Sequence, residues 1–200
     1  MTAAATAGRI GPNAITRVAE VLPPRVGSDA TRRLFDRAGL LRHLLVPPQA
    51  MVDEAEVRAL HGVLREALGL PMAREVAHAA GERTADYLLA NRIPRPVQRL
   101  LKALPAPLAA RVLMAAMRRN AWTFAGSGHF SATLRGAGLC VLAIRSNPLC
   151  RGVKAAEPGC DFYAGTFERL FQVLVHHDAK VHEVACEACG DAECRFEVRW

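Results

Sequence analysis

Apolar positions recur at helical spacing through the first 120 residues of this chain. "NAITRVAEVL" is a short amphipathic run, and "SDATRRLFDRAGLLRHLL" opens on the cap-type residues Ser28 and Asp29 before the same periodicity sets in. In "DEAEVRALHGVLREALG", Val57, Leu60, Leu64 and Leu68 fall on one face at i, i+3, i+7 and i+11. Asp53 and Glu54 occupy its first turn, and Gly69 with Pro71 ends it. "MAREVAHAAGERTADYLLANRI" predicts a further helix closed by Pro94. "PVQRLLKAL" and "PLAARVLMAAMRRN" predict a helical hairpin broken by Pro105 and Pro107. The last of these is apolar on most faces, which places it in the core or against a partner subunit, as in a homodimer.

After Asn120 the pattern changes. "AWTFAGSGHFSATLRGAGLCVLAIRSN" is rich in glycine and β-formers and predicts two strands joined near Arg135 and Gly136. "CDFYAGTFERLFQVLVHH" predicts a helix, and "KVHEVAC" with "ECRFEVRW" a closing antiparallel hairpin. In its last strand Cys194, Phe196, Val198 and Trp200 share one face, opposite Arg195, Glu197 and Arg199. The fold class is therefore α+β: helices in front, then a small antiparallel sheet with a helix packed against it. Pro47-Pro48 marks the one candidate boundary, between an N-terminal helical extension (1–48) and a main domain (49–200).

Composition narrows the function classes. With 51% apolar and 22% charged residues, the 200-residue chain can bury a sizeable core. Its net charge of +7 suits an acidic ligand, nucleic acid or an anionic membrane surface. The arginines, however, are scattered among apolar helices, with no basic block interleaved with aromatics. The expectation is a solvated basic surface and no nucleic acid. The start lacks a continuous apolar h-region, and no stretch approaches the ~18 uncharged apolar residues of a transmembrane segment. A cytoplasmic location follows as the expectation, and there six cysteines mean metal or redox chemistry before disulfides.

Three of those cysteines fall within "EVACEACGDAECRFEVRW". Cys186 and Cys194 flank the turn of the last hairpin, Glu183 lies three residues before Cys186, and Cys160 opens the preceding helix. A helix packed on the hairpin brings Cys160 to the same point. The result is a candidate Zn²⁺ site of Cys160, Glu183, Cys186 and Cys194. Glu183 and Cys186 are an odd number of residues apart and would face opposite ways on a regular strand, so this site requires a bulge or an early turn between them. Two alternatives use the same residues: an iron–sulfur nest of Cys186-x2-Cys189 and Cys194 with Cys160 or Cys150 as fourth ligand, and cysteines that are simply small buried hydrophobes.

"CDFYAGTFERLF" followed by "VHEVACEACGDAECRFEV" resembles the 4-vinyl reductase domain family, which also forms the sensory domain of phenol- and xylene-responsive bacterial activators and is related to small transport-particle subunits of Golgi trafficking. The aromatic-sensing members hold zinc through Cys-x22-Glu-x2-Cys-x7-Cys, which Cys160, Glu183, Cys186 and Cys194 match without a gap. Cys189 lies outside that set. The resemblance covers roughly residues 50–200 in texture and is specific over 160–198. The stand-alone form with an N-terminal extension is similar to members that serve bacteriochlorophyll biosynthesis in purple phototrophs. Their assigned step is reduction of the C8 vinyl group (4-vinyl in older numbering) of divinyl protochlorophyllide or chlorophyllide. The resemblance thus implies a tetrapyrrole ligand, other pathway enzymes as partners, and a location in the cytoplasm or peripheral to the photosynthetic membrane.

Reducing a vinyl group needs a hydride or electron source. "GSGHFS", Gly126 to Ser131, has Gly-x-Gly but no third glycine, and β-formers rather than a helix follow it. A closed four-ligand zinc is structural and has no redox chemistry. The residues therefore favour a protein that binds and presents the tetrapyrrole. Vinyl reductase itself is the enzyme alternative, and a sensing or assembly module the third class. His129 could serve as an axial ligand to a chlorin magnesium, and is more ordinarily a packed or surface residue. His176-His177-Asp178 complements a helix end, and His182 faces water. Trp122, Phe124, Phe130, Phe162 and Phe167 could line a pocket for a planar ligand, though core packing is the plainer expectation. Met114 and Met117 read as packing.

Overall fold

Proline and glycine divide the front of the chain into short helices. The computed structural model describes residues 8–200; residues 1–7 of the expected extension lie outside the described residues. A two-residue strand β1 (Arg9–Ile10) leads into α1 (Asn13–Val21), α2 (Pro23–Val26), α3 (Ser28–Arg37) and α4 (Leu41–Leu45). Ser28 lies inside α3 rather than capping it; the cap is Gly27. The single run read from Ser28 to Leu45 is split at Gly39, whose φ of +71° ends α3. β2 (Val52–Asp53) pairs antiparallel with β1 and hands over to α5 (Glu54–Leu68), where the Asp53 carboxylate accepts the Ala55 N–H at 2.8 Å. Gly69, at φ +74°, separates α5 from α6 (Leu70–Asn91). The predicted hairpin follows as α7 (Arg95–Ala103) and α8 (Ala106–Arg119), each entered through proline.

The second half is a four-stranded antiparallel sheet with one helix. β3 (His129–Leu134) and β4 (Leu139–Arg145) form the first hairpin. α9 (Asp161–Leu174) crosses the sheet, and β5 (Lys180–Ala185) and β6 (Cys194–Arg199) close it in the order β3-β4-β6-β5. The α+β expectation holds, including both hairpins.

The inward face of the sheet comes from Cys140, Leu142 and Ile144 on β4, paired in register with Val198, Phe196 and Cys194 on β6. Phe162, Phe167, Phe171 and Leu174 of α9 are buried above it. The other side of α9 packs on α6 at a backbone-to-backbone crossing. A Cβ on Gly81 would stand 2.2 Å from the Phe162 carbonyl oxygen, and one on Gly165 2.3 Å from that of His78. Thr166 Oγ1 donates to the Gly81 carbonyl across the same contact. Residues on both sides of Pro47-Pro48 share one core, with Ile15 and Val18 of α1 as buried as Val76 of α6.

Candidate metal centre

The hairpin delivers two thiols. Cys194 begins β6 opposite Ile144, fully buried on the core face. Along β5, Glu183 pairs with Phe196 but Ala185 pairs with Arg195, so Val184 is an extra residue. This is the bulge that the odd spacing required. It turns Cys186 inward while Glu183 still reaches α9, whose Cys160 N–H donates to Glu183 Oε2 at 2.8 Å. Cys160 stands at the N-terminal end of α9 and is 1% exposed.

A fourth thiol comes from the loop between β4 and α9. Cys150 Sγ lies 3.1, 3.7 and 3.4 Å from those of Cys160, Cys186 and Cys194. The remaining distances are 3.9 Å (Cys160–Cys186), 3.6 Å (Cys160–Cys194) and 3.9 Å (Cys186–Cys194). Six near-equal separations describe a tetrahedron. Four thiolates bound to one ion at about 2.3 Å would be spaced about 3.8 Å apart. The four sulfurs are therefore a group that could hold a metal ion.

Backbone donors and carboxylates hold this arrangement. Glu187 N–H donates to Cys194 Sγ at 3.4 Å, and Gly159 N–H to Cys186. Asn147, fully buried, donates from Nδ2 to Cys160 Sγ at 3.3 Å and accepts the Leu149 N–H on Oδ1. The Glu187 carboxylate takes the N–H groups of Ser146 and Asn147 at 2.6 and 2.7 Å, which fixes Ser146 at a φ of +55°. Arg151, next to Cys150, reaches the buried carboxylate of Glu54, which also accepts the N–H and hydroxyl of Ser127. That anchor ties the Cys150 loop to the first turn of α5. Hydrogen bonds from Cys150 and Cys160 push Cys186 and Cys194 toward thiolate, as metal binding requires. Burial, and then the charge of Cys186, drives the Glu183 carboxyl up to about 9, and its Oε1 is buried without a hydrogen-bond partner.

Residues 140–200, from β4 to the last strand, carry all four of these thiols and match the 4-vinyl reductase domain family. The bacteriochlorophyll synthase 23 kDa chain of Cereibacter sphaeroides is 43% identical over 97% of this chain and 92% of that one. Its namesake in Rhodobacter capsulatus is 38% identical over 94% and 85%. The chain belongs to the bacteriochlorophyll synthase 23 kDa chain family. Among solved structures, the Fe(II) unliganded H-NOX protein from K. algicida is similar with a TM-score of 0.63 at 11% identity, over 95% of this chain and 96% of that one. An H-NOX protein from S. oneidensis in the Fe(II)NO ligation state follows at 0.57 and 12%, over 95% and 98%. The fold is thus the H-NOX fold.

In this member of the 23 kDa chain family, Cys160, Cys186 and Cys194 converge as the sequence motif predicts, and Glu183 stands beside them. Cys150 completes the close group of thiols. In the sequence it is a candidate only for an iron–sulfur nest, because it lies in an irregular loop with no spacing signal. Cys189 is exposed on a 3-10 turn, outside the group. Cys140 faces Val198, and burial pushes its thiol up to about 12. His129 and His182 are exposed, as is the His177–Asp178 pair. Gly126 and Gly128 run into β3. A Cβ on Gly126 would meet Glu54, and one on Gly128 would meet the carbonyls of Arg145 and Ser146. Phe124, Phe130, Phe167, Tyr163 and Phe196 pack ring against ring, with centroids 5.0 to 6.3 Å apart. They form a core seam between α9 and the sheet. Met114 and Met117 are buried on α8.

Proposed function

We propose that this protein binds a divinyl protochlorophyllide or chlorophyllide and presents it for reduction of the C8 vinyl group in bacteriochlorophyll biosynthesis, with the metal centre as a structural clamp. The observation that carries the reading is the 43% identity, along nearly the whole chain, to a protein named bacteriochlorophyll synthase 23 kDa chain. The fold supports a tetrapyrrole as ligand: similar structures at TM-scores of 0.61 and 0.56 come from work on haem and porphyrin distortion. In this conformation the aromatic seam is closed, so a planar ligand enters by parting its half-buried edge at Phe124 and Phe130. Trp122, 61% exposed beside that edge in sequence, is the natural reporter. Titration of the purified protein with divinyl protochlorophyllide is expected to quench Trp122 with a one-to-one end point. The pigment should co-elute on gel filtration, and Trp122→Phe should remove most of the quenching. Failure to bind the pigment overturns the reading. Vinyl reduction by the purified protein and NADPH alone would replace it with the enzyme alternative.

For the metal, Cys160, Cys186 and Cys194 are three of the ligands and Cys150 the fourth. The tetrahedral sulfur spacing suits one Zn²⁺ in a closed thiolate site. A polynuclear iron–sulfur cluster would need its thiolates wider apart to admit several irons. The unpartnered Oε1 of Glu183 supports the family motif's ligand set as a second reading. Elemental analysis separates the two. One zinc per chain is expected, lost in Cys150→Ser, Cys160→Ser, Cys186→Ser and Cys194→Ser and kept in Cys189→Ser and Glu183→Gln. Loss in Glu183→Gln with retention in Cys150→Ser would give the fourth position to the carboxylate. Brown protein with stoichiometric iron and sulfide would overturn both.

A further inference from the structure

Charge is unevenly distributed along this chain. Residues 87–156 hold eleven Lys and Arg and no Asp or Glu. The remaining fifteen Lys and Arg face all nineteen acidic residues, so the rest of the protein is net −4 and the +7 total arises from this one stretch. The stretch begins with the α7–α8 hairpin. There Arg95, Arg99, Lys102, Arg111 and Arg119 are exposed and, among the described residues, none of them lies in an ion pair.

The same hairpin turns apolar side chains outward. Five of the eight large hydrophobic residues exposed on the protein are Val97, Leu100, Leu108, Val112 and Trp122. Their placement follows from helix geometry. α8 buries Ala109, Ala110, Leu113, Met114 and Met117, so Leu108 and Val112, at i and i+4, occupy the opposite face between Arg111 and Arg119. α7 buries Leu101, which leaves Val97 and Leu100 on one flank and Arg95, Arg99 and Lys102 on the other. Each helix thus shows solvent an aliphatic ridge bordered by cations.

From this surface we infer that the α7–α8 hairpin docks on an anionic phospholipid bilayer. The helices lie in the interface plane, the aliphatic ridges enter the acyl boundary, and the arginines reach lipid phosphates. An apolar ridge with basic flanks and an interfacial tryptophan is the pattern of an in-plane helix. The lack of any carboxylate across 70 residues removes every group that an anionic surface would repel. A nucleic acid would use the cations but leave the aliphatic ridges unmatched. Among the described residues no helix is long and apolar enough to cross a membrane, so the contact is peripheral.

Flotation of the full-length protein with vesicles tests this. Binding is expected to phosphatidylcholine vesicles containing phosphatidylglycerol and not to phosphatidylcholine alone, and should weaken as salt rises. Leu108→Asp with Val112→Asp changes exposed positions and leaves the fold intact, checked by circular dichroism. It should cut partitioning at least tenfold. Arg95→Gln and Arg99→Gln should each cut it about fivefold, since one basic side chain at such a surface is worth ~1 kcal/mol. Brominated acyl chains should quench Trp122, with Trp122→Phe as the control for Trp200. Absence of binding to the anionic vesicles at low salt, or binding that the Leu108/Val112 variant keeps, overturns the inference and leaves the ridge to an acidic protein partner.

Discussion

Val184 adds no ligand to the thiol site, yet the site depends on it. Half exposed, it is the extra residue of the β5 bulge, and without it Glu183 and Cys186 could not both serve the α9 side of the sheet. Deleting Val184 restores the alternation of a regular strand and sends Cys186 to the solvent face. Zinc content is expected to fall to near zero. Stability should drop as it does on removing the metal, because structural zinc contributes on the order of 10 kcal/mol in small domains. Val184→Thr keeps the bulge and should keep the metal; elemental analysis and thermal melts of both variants check this. The need for the bulge was legible in the sequence, since an odd spacing between two inward residues demands one. Cys150 was not legible as a partner of the other three. Its position is set by Asn147, by the Glu187 carboxylate and by the Arg151–Glu54 anchor across 97 residues, none of which leaves a local pattern.

At the scale of elements, the α6–α9 crossing holds Cys160 where the hairpin can meet it. Gly81 and Gly165 let two backbones touch, a requirement that helical periodicity cannot reveal because a glycine in a helix looks merely unfavourable. Gly165→Ala forces a Cβ against the His78 carbonyl. The helices must separate, at about 3 kcal/mol, which lowers Tm by about 10 °C and loosens the metal. Gly62→Ala gives the opposite sign. Gly62 lies within α5 with nothing near its missing Cβ, so helix propensity alone acts and stability rises by up to about 1 kcal/mol. Paired melts of the two variants measure the crossing against that baseline. Long elements such as α5, α6 and both hairpins were readable from period and caps. The β1–β2 pair was not, because two residues are too few to show alternation and their partners lie more than 40 positions away.

Across the whole molecule, the helical front and the sheet share one core, and His61 sits where they join. Its Nε2 faces the Ala14 carbonyl of α1 at 3.2 Å, and its ring stands edge-on to Phe162 of α9. Burial, with Arg65 nearby, lowers its pKa to about 4 from an ordinary 6.5, so the folded protein holds it neutral. Above pH 6.5 neither the folded nor the unfolded chain carries the proton, and His61 adds no pH dependence. As pH falls below 6.5 the unfolded chain binds a proton that the folded one refuses. Stability is therefore lost between about 6.5 and about 4, by on the order of 3 kcal/mol, and the loss levels off once the folded imidazole itself titrates. His61→Gln keeps a neutral donor for Ala14 and has nothing to protonate. Urea denaturation across this range should show a shallower acid slope for the variant than for the parent, whatever the offset between their curves at pH 7. Equal slopes would mean that the thiol site, rather than the join between helices and sheet, sets the acid limit of the fold.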